Sequence, residues 1–229
     1  MDTVGTVAGS PPRPGLRERK KQRTRDALVR AALELIATRG YDGTTVDDIA
    51  AAVDVSQRTF FRYFASKEEV ALFVPRLAEQ RIAEAVRARP RDEAPLEALR
   101  RAVLDSWDAI DEAVGQLVPL ELHLRVYRVI ESTPALLAAH LRRAAELEEE
   151  LAGIIAEREE VDVDTDPRPR ILVAAFGGVI RVAERRWTEG GDLSTEALRE
   201  LMRTCLDHVG PALATNWRTT ASLDRPTET

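Results

Sequence analysis

An all-α chain is predicted from three observations. Apolar residues recur at three- and four-residue steps along most of the sequence, no segment alternates with the two-residue period of a strand, and the breaks fall at Gly, Pro and capping residues. The pattern resolves into about nine helices in two units, residues 16–66 and 67–217, between tails at 1–15 and 218–229 whose composition predicts disorder.

The first helix is expected over about 18–39, where Leu28, Ala31, Ala32, Leu35 and Ile36 form one stripe and Gly40 terminates it. Thr44 or Thr45 caps a short second helix that carries Asp47 and Asp48 in its first turn, where the helix dipole favours acids. Ser56 caps a third, about 57–63, and Ser66 caps a fourth that runs to about 88 before Pro90 and the charged stretch RPRDEAP. Five more follow. Residues 95–114 place Leu96, Leu99, Val103, Trp107, Ile110 and Val114 on one face, and residues 116–131 carry Leu117, Leu120, Leu124 and Tyr127. After Thr133-Pro134 a long helix to about 159 presents Leu137, Leu141, Ala144, Leu147, Leu151 and Ile154. A strongly apolar helix at about 168–189 and a last one capped by Ser194 complete the set, with Pro211 expected to stop or kink the latter.

The chain has 229 residues, of which 44% are hydrophobic, enough for a sizeable core. A lone cysteine, Cys205, excludes an intrachain disulfide. The first 15 residues lack the apolar run of a signal peptide, and no stretch approaches the roughly 18 apolar residues of a membrane span. A cytoplasmic protein without a membrane partner is therefore expected. Charge is uneven: residues 1–67 hold 12 Lys/Arg against 8 Asp/Glu, and residues 68–229 hold 21 against 31. An acidic body with one basic end fits a polyanion that touches that end only, although a solvated basic tail has the same composition.

The segment TVDDIAAAVDVSQRTFFRYF, residues 45–64, carries the most information. Two short helices joined by a tight turn must share one small core, with apolar residues at the crossing and a very small one where the backbones come closest. Val46, Ile49, Val53, Val55 and Phe60 supply the crossing contacts and Ala50 the small residue. Asp54 occupies the turn position that favours a left-handed backbone, where glycine is usual and aspartate is tolerated. Phe60 and Phe64 read as core.

Residues 18–72, through RGYDGTTVDDIAAAVDVSQRTFFRYFASKEEVAL, closely resemble the TetR family of regulators. The resemblance is carried by Gly40-Tyr41, Thr44-Thr45, Tyr63-Phe64 and Ser66-Lys67-Glu68. It implies a DNA-binding dimer with no enzymatic activity, whose third helix enters the major groove of double-stranded operator DNA. Gln57 would pair with adenine and Arg58 with guanine, while Thr59 would meet a base edge or a thymine methyl. Phe61 and Tyr63 would face the DNA backbone; many family members have tyrosine at the position of Phe61. Thr45 and Lys67, at helix starts, would hold phosphates. Arg17, Arg19, Lys20 and Lys21 would form an arm toward phosphates or the minor groove.

In residues 95–210, His123, His140 and His208 are far apart in sequence and no metal-ligand spacing or catalytic constellation occurs, so neither metal nor cofactor is expected. The family layout implies a small-molecule effector held among the helices. Trp107, His123, Tyr127, Arg128 and Phe176 are the candidate ligand contacts, each with plain core or surface as the alternative. The helix from 168 is apolar nearly all round between Ile171 and Ile180, so both faces must be covered, one of them by a second subunit. Phe176, Val179, Arg181, Arg185 and Trp187 are placed near that interface, or in the core. Gly177-Gly178 is expected to permit close helix approach. The combination TFFRYF and AAFGGVIRVAERRW resembles the branch with acyl-CoA-like effectors that includes mycofactocin-system regulators, in which Arg125, Arg128, Arg142 and Arg143 would meet phosphates. Release of a repressor by long-chain acyl-CoA is thus one expectation. A constitutive or protein-responsive dimer, or an activator, would show the same head.

Overall fold

The first helix starts at Leu16, two residues earlier than expected, because LRERKKQR is an unbroken run of good helix formers. The computed structural model describes residues 15–192 and 194–214, so the expected tails lie outside the described residues except for Gly15. Ten helices and no strand occur among the described residues: α1 (Leu16–Arg39), α2 (Val46–Ala52), α3 (Gln57–Phe61), α4 (Lys67–Ala71), α5 (Phe73–Ala88), α6 (Pro95–Leu117), α7 (Leu120–Ser132), α8 (Pro134–Arg158), α9 (Arg168–Glu189) and α10 (Thr195–Ala214).

Two boundaries differ from expectation for reasons that lie in proline. The helix expected at 67–88 is broken at Leu72, which has φ −91° and ψ 12°. Pro75 lacks the N–H that would bond the Ala71 carbonyl, and its ring crowds that carbonyl, so the chain reorients just ahead of it. The helix expected at 116–131 starts instead at Leu120, because Pro119 forces Val118 into an extended conformation, φ −144° and ψ 150°. At the other end α10 continues through Pro211 to Ala214 and does not stop there. It packs along α9, and tertiary packing carries a helix across one missing bond.

The head is α1 to α4. Gly40 ends α1 with φ 75°, a left-handed conformation that glycine adopts without strain. Thr44, fully buried, donates to the Gly40 carbonyl at 2.9 Å. Thr45 caps α2 in a reciprocal box: its Oγ1 accepts from the Asp48 N–H at 3.1 Å, and the Asp48 carboxylate accepts from the Thr45 N–H at 2.9 Å. Those bonds hold the Asp48 carboxyl below the usual carboxylate range. Asp54 turns the chain with φ 54°, as its place in the motif requires.

Two apolar cores result. One joins Leu28, Leu33, Ile36, Ile49, Phe60 and Phe64 of the head to Leu117 of α6 and Ile130 of α7, so no apolar gap separates the head from the larger domain. Arg30 reinforces the junction by donating to the Leu117 carbonyl at 3.1 and 3.2 Å. The second core packs α5, α6, α8, α9 and α10 through Leu99, Val103, Leu151, Ile155, Phe176 and Leu206. Buried Arg158 closes its far end, donating to the carbonyls of Arg89 at 2.7 Å and Pro90 at 2.6 Å. A cavity lies between the two cores.

Candidate nucleic-acid interface and internal cavity

A five-residue helix has little stability of its own, so α3 depends on its cap and on what lies beneath it. The Ser56 hydroxyl accepts from the Thr59 N–H at 3.2 Å, and the two hydroxyls share a hydrogen bond of 3.0 Å. Phe60 is wholly buried and fixes the inner face of the helix, touching Phe64 with ring centroids 5.7 Å apart. Gln57 and Arg58 are exposed and Thr59 is half-buried. Phe61 is 50% exposed, an unusual position for a large apolar side chain, and packs edge-on against Phe60. Tyr63 is half-buried beneath the Arg62 guanidinium, which lies 5.3 Å from its ring centroid. Arg62, exposed at the end of α3, was not among the sequence candidates although it lies within the motif.

Three groups proposed as phosphate contacts are engaged differently from expectation. Arg17, Arg19, Lys20 and Lys21 are exposed but lie within the first turns of α1, where they form a helical basic surface and not an extended arm. The Thr45 hydroxyl is committed to the α2 cap, donating to Asp48 while accepting from its N–H. The Lys67 ammonium turns inward: it donates to the carbonyls of Tyr41 at 2.6 Å and Thr44 at 2.7 Å, and lies 3.9 Å from the Tyr41 ring centroid. Two of its three protons thereby brace the loop between α1 and α2 against α4.

The cavity of about 300 Å³ is bounded by α5 to α10. Four of the five residues expected to touch a ligand line it: Trp107, His123, Tyr127 and Phe176. Arg128 does not; it is exposed, one residue and therefore about 100° around the helix from Tyr127. Arg125 and Arg142 also face solvent, and the guanidinium of Arg143 is bound to Glu79 at 2.9 Å. Of the two alternatives for Phe176 and Trp187, subunit interface or core, the core holds: they are buried within their own domain, at 3% and 2% exposure. An all-apolar helix does not reveal which of its faces is internal. The outward face of α9 is instead Ile171, Ala174 and Val182, with Ile171 65% and Val182 54% exposed. At Gly177 a Cβ would collide with the Glu148 carboxylate, so this glycine makes room for the 2.6 Å ion pair of Glu148 with Arg181. At Gly178 a Cβ would meet only the Arg181 guanidinium, at 4.0 Å.

Tyr127 is the hub of the cavity wall. His123, His140 and Trp187 meet its ring edge-on, with centroids 6.3, 6.1 and 5.9 Å away. Trp187 is held by its Nε1–H, which donates to the Ser194 carbonyl at 3.0 Å. The Tyr127 hydroxyl is buried and has no partner at hydrogen-bonding geometry. Burial, and the nearby carboxylates of Glu184 and Glu131, push the phenol well above its ordinary range. Glu184 is half-buried in the cavity wall, and desolvation there pushes its carboxyl up to about 7. Burial draws the His123 imidazole down to about 4 and lowers that of His140, so both are neutral at pH 7. Glu184, Glu131 and His140 were missed by the sequence reading. The signal for Glu184 was present: it interrupts the apolar stripe of Phe176, Ile180 and Trp187 on α9.

No helix among the described residues is long and apolar enough to cross a membrane. Residues 28–73 match the family described as bacterial regulatory proteins, tetR family, and residues 93–214 match the MftR C-terminal domain. Among curated relatives, the HTH-type transcriptional regulator TcmR of Streptomyces glaucescens is 46% identical, over 95% of this chain and 96% of the relative. A protein of Mycobacterium tuberculosis named as mycofactocin biosynthesis transcriptional regulator MftR is 30% identical, over 85% and 93%. The fold is similar to that of Thermus thermophilus FadR, a TetR family repressor solved with lauroyl-CoA (24% identity, TM-score 0.50, covering 89% of this chain and all of that one). It is also similar to that of NalD of Pseudomonas aeruginosa (17% identity, TM-score 0.52, covering 82% and 96%).

Proposed function

The chain belongs to the TetR family of bacterial regulatory proteins and is a transcriptional regulator, not an enzyme; from that premise we propose that it is a ligand-responsive repressor. It binds a palindromic operator as a homodimer and lets go when a small apolar effector fills the cavity. As a reader of chromosomal DNA it acts in the cytoplasm.

The observation that carries this reading is α3, a short capped helix with its aromatic side anchored in the core and Gln57 and Arg58 presented to solvent. Those two side chains have the donors and acceptors to read adenine and guanine edges. Thr59 and Phe61 follow along the same groove wall, with Tyr63 toward the backbone, the helix starts at Thr45 and Lys67 offering backbone N–H groups to phosphates, and the basic turns of α1 adding charge around it. The acidic remainder of the chain, 21 Lys/Arg against 31 Asp/Glu after residue 67, keeps DNA to that one surface.

Dimerisation is supported by the outward stripe of α9. Ile171 and Val182 are large apolar residues exposed on one helical face, and α10 lies beside them. Pairing about a two-fold axis would cover both copies and set two heads against the half-sites of a palindrome.

Coupling between cavity and head runs through α5. Val74, Pro75 and Ala78 line the cavity, while Phe73 packs on Phe64 and Arg76 pairs with Glu69 at 3.0 Å. An effector that displaces this turn of α5 drags the head with it, and it lowers operator affinity only if it prefers the displaced arrangement. Trp107, His123, Tyr127 and Phe176 are its proposed contacts. A second reading, long-chain acyl-CoA, takes support from the match to the MftR C-terminal domain and from the lauroyl-CoA bound by FadR.

Selection of duplexes from a random pool by the purified dimer tests the reading. Enrichment of an inverted repeat is expected; failure of any duplex to be enriched would remove the assignment. Repeating the binding with lauroyl-CoA decides the second reading.

A further inference from the structure

The charge of the cavity wall does not fit an anionic ligand. Taking the elements in turn, α5 contributes Glu79, α6 Asp111, α7 Glu131, α8 Glu148 and α9 Glu184, against the arginines of α9, Arg181 and Arg185. Glu79 is satisfied by Arg143 at 2.9 Å and Glu148 by Arg181 at 2.6 Å. The two histidines that line the wall are neutral at pH 7, because burial lowers both. What remains is Asp111, Glu131 and Glu184 against Arg185, an acidic surplus of which Glu131 and Glu184 act on Tyr127.

A second, independent feature points inward at the same place. Tyr127 is 93% buried by its 7% exposure, and its hydroxyl lies beside the Glu184 carboxylate without reaching hydrogen-bonding geometry to any group. A buried polar atom left unmatched costs stability of order 1–3 kcal/mol and is rare without a reason. A phenol oxygen beside two carboxylates forms an acceptor-rich cup, and Trp107 and Trp187, whose rings can attract a cation, line the same cavity. The rest of the lining, including Val103, Val114, Leu147, Ile180 and Met202, is apolar.

We infer that the effector is a lipophilic cation: an ammonium-bearing compound whose charged group sits between Glu131 and Glu184 against the Tyr127 hydroxyl, with its apolar body among the aliphatic side chains. The inference rests on the cavity being the effector site. A desolvated carboxylate attracts a cation far more strongly than an exposed one, and an ammonium brings donors that both carboxylates and the tyrosine oxygen can accept. An anion of the same shape would meet repulsion from those carboxylates after losing its own hydration. The elevated Glu184 carboxyl agrees with this arrangement, because an acid with its counter-cation in place would be held low instead.

The experiment uses the full chain and three probes of one tail length: decylammonium, decanol and decanoate, each below its micelle concentration. Binding is read by quenching of tryptophan fluorescence, since Trp107 and Trp187 line the cavity. Decylammonium is expected to bind at least about ten-fold more tightly than decanol, and decanoate more weakly than either. The ranking should collapse toward that of the bare tail in Glu131→Gln/Glu184→Gln. Tyr127→Phe, which removes only the hydroxyl, should fold normally and lose several-fold more affinity for decylammonium than for decanol. Equal or tighter binding of decanoate overturns the cation assignment and leaves the cavity as a site for an anionic tail. A preference for decylammonium that survives in the Gln variants also overturns it. If none of the three probes binds, the cavity is not an effector site, and the reading beneath the inference falls with it.

Discussion

Phe73, the first residue of α5, meets Phe64 of the DNA-binding head edge-on at 6.0 Å, with ring planes at 90°. The next residue, Val74, already lines the internal cavity. The Arg25 guanidinium of α1 lies over both rings, 4.5 Å from the Phe73 centroid and 5.8 Å from that of Phe64. One turn of α5 therefore touches the head with one side and the cavity with the other. The aromatic pair should contribute about 1 kcal/mol beyond simple burial. A double-mutant cycle of Phe64→Leu and Phe73→Leu by urea denaturation should return a coupling energy of about that size; strictly additive losses would mean that the contact transmits nothing.

Lys67 braces the head more than it reaches outward. Its ammonium holds two carbonyls and stacks on Tyr41. Charge-assisted hydrogen bonds of this kind contribute about 1.5–3 kcal/mol each at most. Lys67→Met should lower unfolding stability by about 2 kcal/mol and weaken binding to every duplex alike. Arg58→Ala, at an exposed position, should leave stability unchanged within about 0.5 kcal/mol and relax sequence preference instead. Parallel denaturation and gel-shift series check both, and a stable Lys67→Met protein would contradict the bracing role.

Glu184 makes stability depend on pH with a sign that can be worked out. Its carboxyl is raised from an ordinary 4.5 to about 7 in the folded chain. Its contribution is therefore unpenalised below pH 4.5 and is progressively lost as pH rises through 7. Glu184→Gln should match wild type near pH 4.5 and exceed it at pH 8, by an amount on the order of 3 kcal/mol or less. His123, lowered to about 4, acts in the opposite direction, losing stability as pH falls from 6.5 toward 4. The two slopes oppose each other over the shared pH range, so the difference between variant and wild type is the quantity to follow. An equal gap at both pH values would show that Glu184 is not desolvated.

Placing a carboxylate on the outward stripe of α9 should split the dimer. Val182 is 54% exposed in the single chain, on the same face as Ile171. Val182→Glu is expected to give a monomer by sedimentation velocity, with its helical content retained and operator affinity lowered at least about ten-fold. A dimeric Val182→Glu protein would move the interface elsewhere.

The head was legible because its motif is local: cap, small residue, turn and aromatic anchor are fixed by spacing within residues 45–64. The inward turn of Lys67 was not, since its partners are the carbonyls of Tyr41 and Thr44, 26 and 23 residues away, and backbone acceptors carry no sequence signature. In the larger domain, helical phase placed His123 and Tyr127 on an inner face correctly. It also argues against Arg128, which cannot share that face with its neighbour. For Phe176 and Trp187 the choice between interface and core stays open in the sequence, because an apolar surround carries no phase; Glu184, the one acid on that stripe, supplies it. The helix breaks at Leu72 and Val118 were likewise written in Pro75 and Pro119, one helical turn or one residue downstream.

The claim on which everything else depends is that Arg58, one step along α3, reads a guanine in the major groove. Dimethyl sulfate attacks guanine N7 in that groove, the atom an arginine fork would cover. On a selected operator, the wild-type dimer should protect guanines in two half-sites facing the same side of the duplex, and Arg58→Ala should restore reactivity at one symmetry-related guanine in each. Guanines that stay fully reactive under saturating wild-type protein, or a protection pattern that Arg58→Ala leaves unchanged, would contradict the account.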